Sequence, residues 1–160
     1  MPNPSFRSFQ RTPVLFLTIE THGLLPWLAN DDAHACLRDA WLQVGRASGW
    51  FVGQYLLLPA QARLFATPAM RCWPLADWVN RWQGLTQRRI AACAQWTGEI
   101  WQPEFSHRFL NSADDYIAKA GQLQEAPERE GLVGQDSPWR FRGMIWEICE
   151  WERVGTRGPD

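Results

Sequence analysis

Hydrophobic residues change period several times along the chain, and each change marks an element. Residues 14–21, VLFLTIET, are rich in β-branched and aromatic side chains and lie between Pro13 and the His22-Gly23 pair, which predicts a buried strand. After a loop over 24–29, Asn30 or Asp31 caps a helix. Its apolar positions Ala33, Cys36, Leu37, Ala40, Trp41 and Val44 recur at three- and four-residue intervals. From Trp50 the pattern becomes that of a strand, WFVGQYLLL, closed by Pro59. A short apolar piece at Leu64, Phe65 and Ala66, stopped by Pro68, makes a hairpin with it.

A second helix is predicted over about 75–94, with Leu75, Trp78, Val79, Trp82, Leu85, Arg89, Ile90 and Cys93 on one broad face and Asp77, Arg81, Gly84 and Arg88 on the polar stripe. The segment EIWQPEFSHRFL that follows has no clear period and reads as irregular or weakly extended. Ser112 with Asp115 resembles a capping box with Asp in place of Glu or Gln, opening a third helix through about Gln124, which Pro127 breaks. Gly131, Leu132 and Val133 suggest a last short strand.

A β-α-β-β-α order followed by a further helix predicts an α+β fold, a ferredoxin-like sandwich with an antiparallel sheet and helices packed on one face. The division expected is an N-terminal arm over 1–12, the folded domain over 13–135 and a C-terminal tail over 136–160. At 160 residues the chain is long enough for a core without disulfide or metal staples.

Composition adds two oddities, 11 tryptophans and fifteen arginines against a single lysine, Lys119. Either reflects a GC-rich genome or a surface that needs planar groups. The net charge of -1 argues against a polycation that holds nucleic acid by bulk charge, but it hides a gradient. Residues 61–110 carry +3 and residues 111–160 carry -4. The apolar runs are too short to cross a membrane and the N-terminus lacks an apolar signal region, so a cytoplasmic protein is expected. Cys36, Cys72, Cys93 and Cys149 form no CxxC pair, and His22, His34 and His107 share no short spacing, so no metal site is expected from them. Serine, lysine and cysteine nucleophile signatures are missing as well.

Six fragments, FLTIET, GWFVGQYLLLPAQARLFATP, LADWVNRWQGLTQRRI, IWQPEF with HRFL, SADDYI and EGLV, occur in this order between about residues 12 and 140. Together they resemble the HUH-type single-tyrosine transposases, in particular the REP-associated tyrosine transposase branch of the IS200-like enzymes of bacteria. The resemblance implies DNA transposition through cleavage and rejoining of single-stranded DNA beside a hairpin. It also implies a divalent metal such as Mg or Mn held by a His-hydrophobic-His motif, with a tyrosine on the last helix attacking the phosphorus.

The motif positions are changed here. Counting from Pro59 puts Gln61 and Arg63 where the two histidines stand, and an arginine has no lone pair for a metal. Counting along the third helix puts Gln122 at the tyrosine and Ala126 at a further metal-ligating residue before Pro127. Tyr116 lies six residues before Gln122, about 120° around the helix, and is expected to pack. Tyr55 falls on the second strand. Neither catalysis nor a metal cofactor is therefore expected.

Binding could persist without chemistry. Arg63 either grips a phosphate in the old metal position or pairs with a local carboxylate or solvent. With Gln61 and Gln122 expected to face each other, the predicted nucleic-acid surface comprises Arg63, Arg81, Arg88, Arg108 and Trp101, the last as a stacking platform for unpaired bases. The expected partner is single-stranded or hairpin DNA, bound by a monomer or homodimer. The alternatives are a protein-interaction module that has lost DNA binding, favoured by the acidic end and its tryptophans, and a nuclease using other groups.

Overall fold

The computed structural model describes residues 13–134 and 137–147, so the arm predicted over 1–12 lies outside them. Strand β1 (Leu15–Thr21) is buried at every second position, because Leu15, Leu17 and Ile19 point to one side of the sheet and Phe16, Thr18 and Glu20 to the other. It pairs antiparallel with β3 (Gln61–Pro68) on one side and β4 (Trp101–Phe109) on the other. β3 continues to β2 (Trp50–Leu57), and β2 to a short strand β5 (Arg142–Met144), giving the order β4-β1-β3-β2-β5. Its first four strands have the β4-β1-β3-β2 arrangement of the ferredoxin-like sandwich.

Helices α1 (Asp31–Ser48) and α2 (Leu75–Ala94) cover the Leu15, Leu17, Ile19 side. Asn30 caps α1 by accepting a hydrogen bond from the Ala33 amide at 2.9 Å. Gly49 ends it at φ 76°, and a Cβ there would lie 2.3 Å from the Arg71 carbonyl oxygen, so only glycine fits the turn into β2. The core between these helices and the sheet includes five buried tryptophans, Trp41, Trp50, Trp78, Trp82 and Trp101. Trp50 stacks on Trp78 at 5.5 Å, and Trp82 meets Trp41 and Trp101 edge-on at 5.7 and 5.3 Å. Edge-to-face pairs of this kind contribute about 0.5–1.5 kcal/mol each beyond their burial.

A third helix, α3 (Ala113–Arg129), lies against the opposite face, where Tyr116, Ala120, Leu123 and Ala126 pack on Leu56, Leu58 and Phe65. Ser112 accepts from the Asp115 amide at 3.1 Å. The Asp115 carboxylate bonds the Asn111 amide and the Arg108 guanidinium, so the first turn of α3 is fastened to β4.

Beyond α3, which covers the face opposite to α1 and α2 rather than the same one, four details differ from the sequence expectation. The segment expected to be irregular is β4, an edge strand buried only at its start, which erases the alternation. It tolerates Pro103 as edge strands do. β3 begins at Gln61, earlier than its apolar residues indicate, because Gln61 and Arg63 face a cleft. Pro127 does not break α3, which continues to Arg129 with the proline inside it. Residues 131–133 form a turn rather than a strand; the last strand is β5, within residues assigned to the tail.

Candidate nucleic-acid interface

Side chains 16, 18, 61 and 63 share one face of the sheet because β1 and β3 pair Thr18 with Arg63 and Glu20 with Gln61. On α3, positions 119, 122, 126 and 129 are spaced by three, four and three residues and so form one helical stripe. The stripe faces the strands across a cleft of 300 Å³ lined by Phe16, Thr18, Gln61, Arg63, Lys119, Gln122, Leu123, Ala126, Arg129 and Glu130. The four residues that the motif comparison selects, Gln61, Arg63, Gln122 and Ala126, all lie on it.

A chain of polar contacts crosses its floor. Arg63 donates from Nε and Nη2 to Gln61 Oε1 at 2.9 and 2.7 Å, and Gln61 Nε2 donates to Glu20 Oε2 at 2.9 Å. The same Arg63 Nη2 lies 3.1 Å from Glu130 Oε2. Gln61 and Gln122 do not bond each other as expected, since Gln122 Oε1 accepts from Lys119 Nζ at 3.2 Å. Lys119 also sits over the Phe16 ring at 5.0 Å.

These residues do not fit a divalent cation. The one neutral oxygen at the histidine positions, Gln61 Oε1, is taken by two guanidinium N–H groups, and a permanent positive charge stands at the second position. Among the described residues no three His, Cys, Asp or Glu side chains are grouped to hold a metal ion. Tyr116 is 2% exposed and packs on Phe65 at 4.6 Å, so its ring belongs to the core beneath the cleft.

The remaining predicted surface is divided. Arg108 lies on the cleft side of β4 but is engaged in a two-pronged ion pair with Asp115, at 3.1 and 3.0 Å. Arg81 and Arg88 are exposed on α2, on the other side of the sheet, and do not join the cleft. Trp101 is no stacking platform: it is 5% exposed, with Nε1 donating to Thr86 Oγ1 at 3.0 Å. Its flanking residues hide this in the sequence, because the partner surface comes from α2. Lys119 and Arg129 are the cleft cations the sequence reading missed. Their spacing from Gln122 and Ala126 is the signal that finds them once α3 is extended past Pro127.

The architecture thus defines a ferredoxin-like domain with a cationic cleft between its open sheet face and an added helix. The fold is transposase-like: it is similar to that of a REP-associated tyrosine transposase solved bound to a REP hairpin. The TM-score is 0.64 at 19% identity, over 91% of this chain and 80% of that one. A second similar structure, a Deinococcus radiodurans protein assigned as a transposase, has a TM-score of 0.51 at 16% identity, over 77% of this chain and 92% of that one. No protein-family model and no curated protein matches the chain. Among the described residues no helix is long and apolar enough to cross a membrane.

Proposed function

We propose that the protein binds single-stranded or hairpin DNA in the cleft between β3 and α3 and does not cut it. The observation that carries this reading is the grouping of three cations, Arg63, Lys119 and Arg129, in one cleft, where Arg63 and Arg129 are held by exposed carboxylates, Glu130 and Glu125, that a phosphate could displace. The resemblance supports the reading, because the positions it selects, Gln61, Arg63 and Gln122, line this same cleft. Arg63 supplies the positive charge that a metal supplies in the related enzymes, and its planar fork suits two phosphate oxygens. A guanidinium holds the phosphate but activates nothing, and Gln122 offers an amide where a nucleophile would be needed.

The test is anisotropy of labelled hairpin and scrambled single-stranded DNA across a salt series, with and without Mg²⁺ or Mn²⁺. Salt-sensitive retention without cleavage is expected in either case. Absence of retention at low salt overturns the binding reading, and a cut strand or covalent adduct overturns the reading of inactivity. A second reading, a protein-interaction module, draws support from the carboxylates that already pair with Arg63 and Arg108. Failure of DNA retention would favour it.

A further inference from the structure

Helix α3 carries one side of the cleft, yet its last turns contain a proline. Pro127 has no N–H, so the carbonyl four residues earlier, that of Leu123, lacks its helical donor, and the ring pushes that carbonyl outward. In the fold this oxygen is not orphaned. Arg142, the first residue of β5, donates from Nη2 to the Leu123 carbonyl at 3.1 Å and to the Gln124 carbonyl at 3.1 Å. The donor comes from an element added at the sheet edge, nineteen residues away in sequence from Leu123.

Several contacts fix β5 where this bond can form. Arg142 pairs with Leu56 and Gly143 with Tyr55 on β2. Around it the Leu57 amide donates to the Phe141 carbonyl at 2.8 Å, Trp139 Nε1 donates to the Leu57 carbonyl at 2.8 Å, and the Trp146 amide donates to the Val52 carbonyl at 2.9 Å. Gly143 is required for the approach, since a Cβ there would lie 2.7 Å from the Tyr55 hydroxyl oxygen. The Arg142 side chain is half-buried, and burial lowers its pKa from the usual arginine value, though an arginine remains charged at neutral pH.

We infer that Arg142 is a positioning residue for the cleft: by supplying the hydrogen bond that Pro127 removes, it couples residues 137–147 to the half of α3 that presents Gln122, Ala126 and Glu130. The functional half of this inference rests on the DNA-binding reading, whereas the coupling itself does not. Leu123 sits at the junction. Its side chain lines the cleft while its carbonyl is the one Arg142 holds. Without the bond, the desolvated carbonyl must reach water, which the last two turns of α3 achieve by fraying away from the sheet.

The experiment is a double-mutant cycle on the full chain with Arg142→Met and Pro127→Ala. Arg142→Met keeps most of the side-chain stem but removes the donor. Pro127→Ala returns an N–H to the helix and makes the external donor dispensable. Amide hydrogen exchange of residues 124–131 should accelerate at least tenfold in Arg142→Met, with α1 and α2 unchanged, and return toward the original rate in the double variant. Additive effects of the two substitutions overturn the coupling. Hairpin affinity, measured at a temperature where every variant is folded, should fall several-fold in Arg142→Met and recover in the double variant although Arg142 is still missing. Coupling in exchange with unchanged affinity overturns the positioning role alone. If the unsubstituted protein does not retain hairpin DNA, the DNA reading fails, and exchange still decides the coupling.

Discussion

The guanidinium of Arg63 on β3 lies 3.1 Å from the carboxylate of Glu130, the residue that ends α3, so the cleft cation is engaged by an acid of its own chain. A bound phosphate would compete with that carboxylate. The two side chains are 25% and 42% exposed, so the pair is screened and contributes no more than about 1 kcal/mol. Glu130→Gln should therefore tighten hairpin DNA binding by about two- to fivefold. Arg63→Met should weaken it and flatten the dependence of log affinity on log salt by about one ion. Equal affinities for Glu130→Gln and the unsubstituted protein would place the phosphate elsewhere.

Trp101 separates a core role from a stacking role. Its indole fills the space between β4 and α2, edge-on to Trp82, with its N–H on Thr86. Trp101→Ala should cost about 3–5 kcal/mol in urea unfolding, the range for deleting a buried aromatic side chain. The folded fraction should bind DNA as before. An affinity loss with little change in stability would return Trp101 to the interface.

Periodic burial explains what the sequence revealed and what it hid. The second helix was legible to its end residues because Trp78, Val79, Trp82 and Ile90 must all reach the same face of the sheet. β4 was not, because this edge strand buries little beyond Trp101 and loses its alternation. β5 is three residues long and exists through its pairing with β2, which no local pattern encodes. Among the site residues, Gln61, Arg63, Gln122 and Ala126 were found by motif position, and the topology brings them to one cleft. Arg81 and Arg88 were grouped with Arg63 by charge along the chain. Charge in sequence does not know that α2 and α3 lie on opposite faces.

Gly49 tests the turn from α1 into β2. An alanine there combines a left-handed backbone, unfavourable by about 1–2 kcal/mol for an L-residue, with a Cβ placed 2.3 Å from a backbone oxygen. Gly49→Ala should thus be among the most destabilising single methyl additions, measured as a fall in Tm of several degrees. Gly84→Ala, on α2 where a Cβ meets nothing within 4 Å, should instead be neutral or stabilising.

A pH effect should be seated under β5. The Tyr55 hydroxyl lies 2.6 Å from His34 Nε2 and accepts from Arg38 Nη1 at 2.6 Å, while Phe141 lies edge-on to the imidazole at 6.2 Å. With His34 neutral, Tyr55 donates its proton to Nε2 and keeps its oxygen for Arg38. Burial, then the Arg38 charge, holds the His34 pKa below its ordinary 6.5, with Arg140 adding to this and Asp31 opposing it. The unfolded chain therefore takes up the proton first as pH falls. Stability is full above the unfolded value and declines as pH drops through 6.5 toward the lowered folded pKa. Asp115 contributes in a different window: Arg108 and the Asn111 amide hold its carboxyl below the usual range, so its contribution is full well above the ordinary 3.8 and is lost as pH falls from there through the lowered value. Thermal unfolding between pH 7.5 and 5 should show a drop that His34→Gln removes. Protection of the 142–144 amides, taken relative to their intrinsic exchange rate at each pH, should fall in the same interval, and a drop that survives His34→Gln would assign the titration to another group.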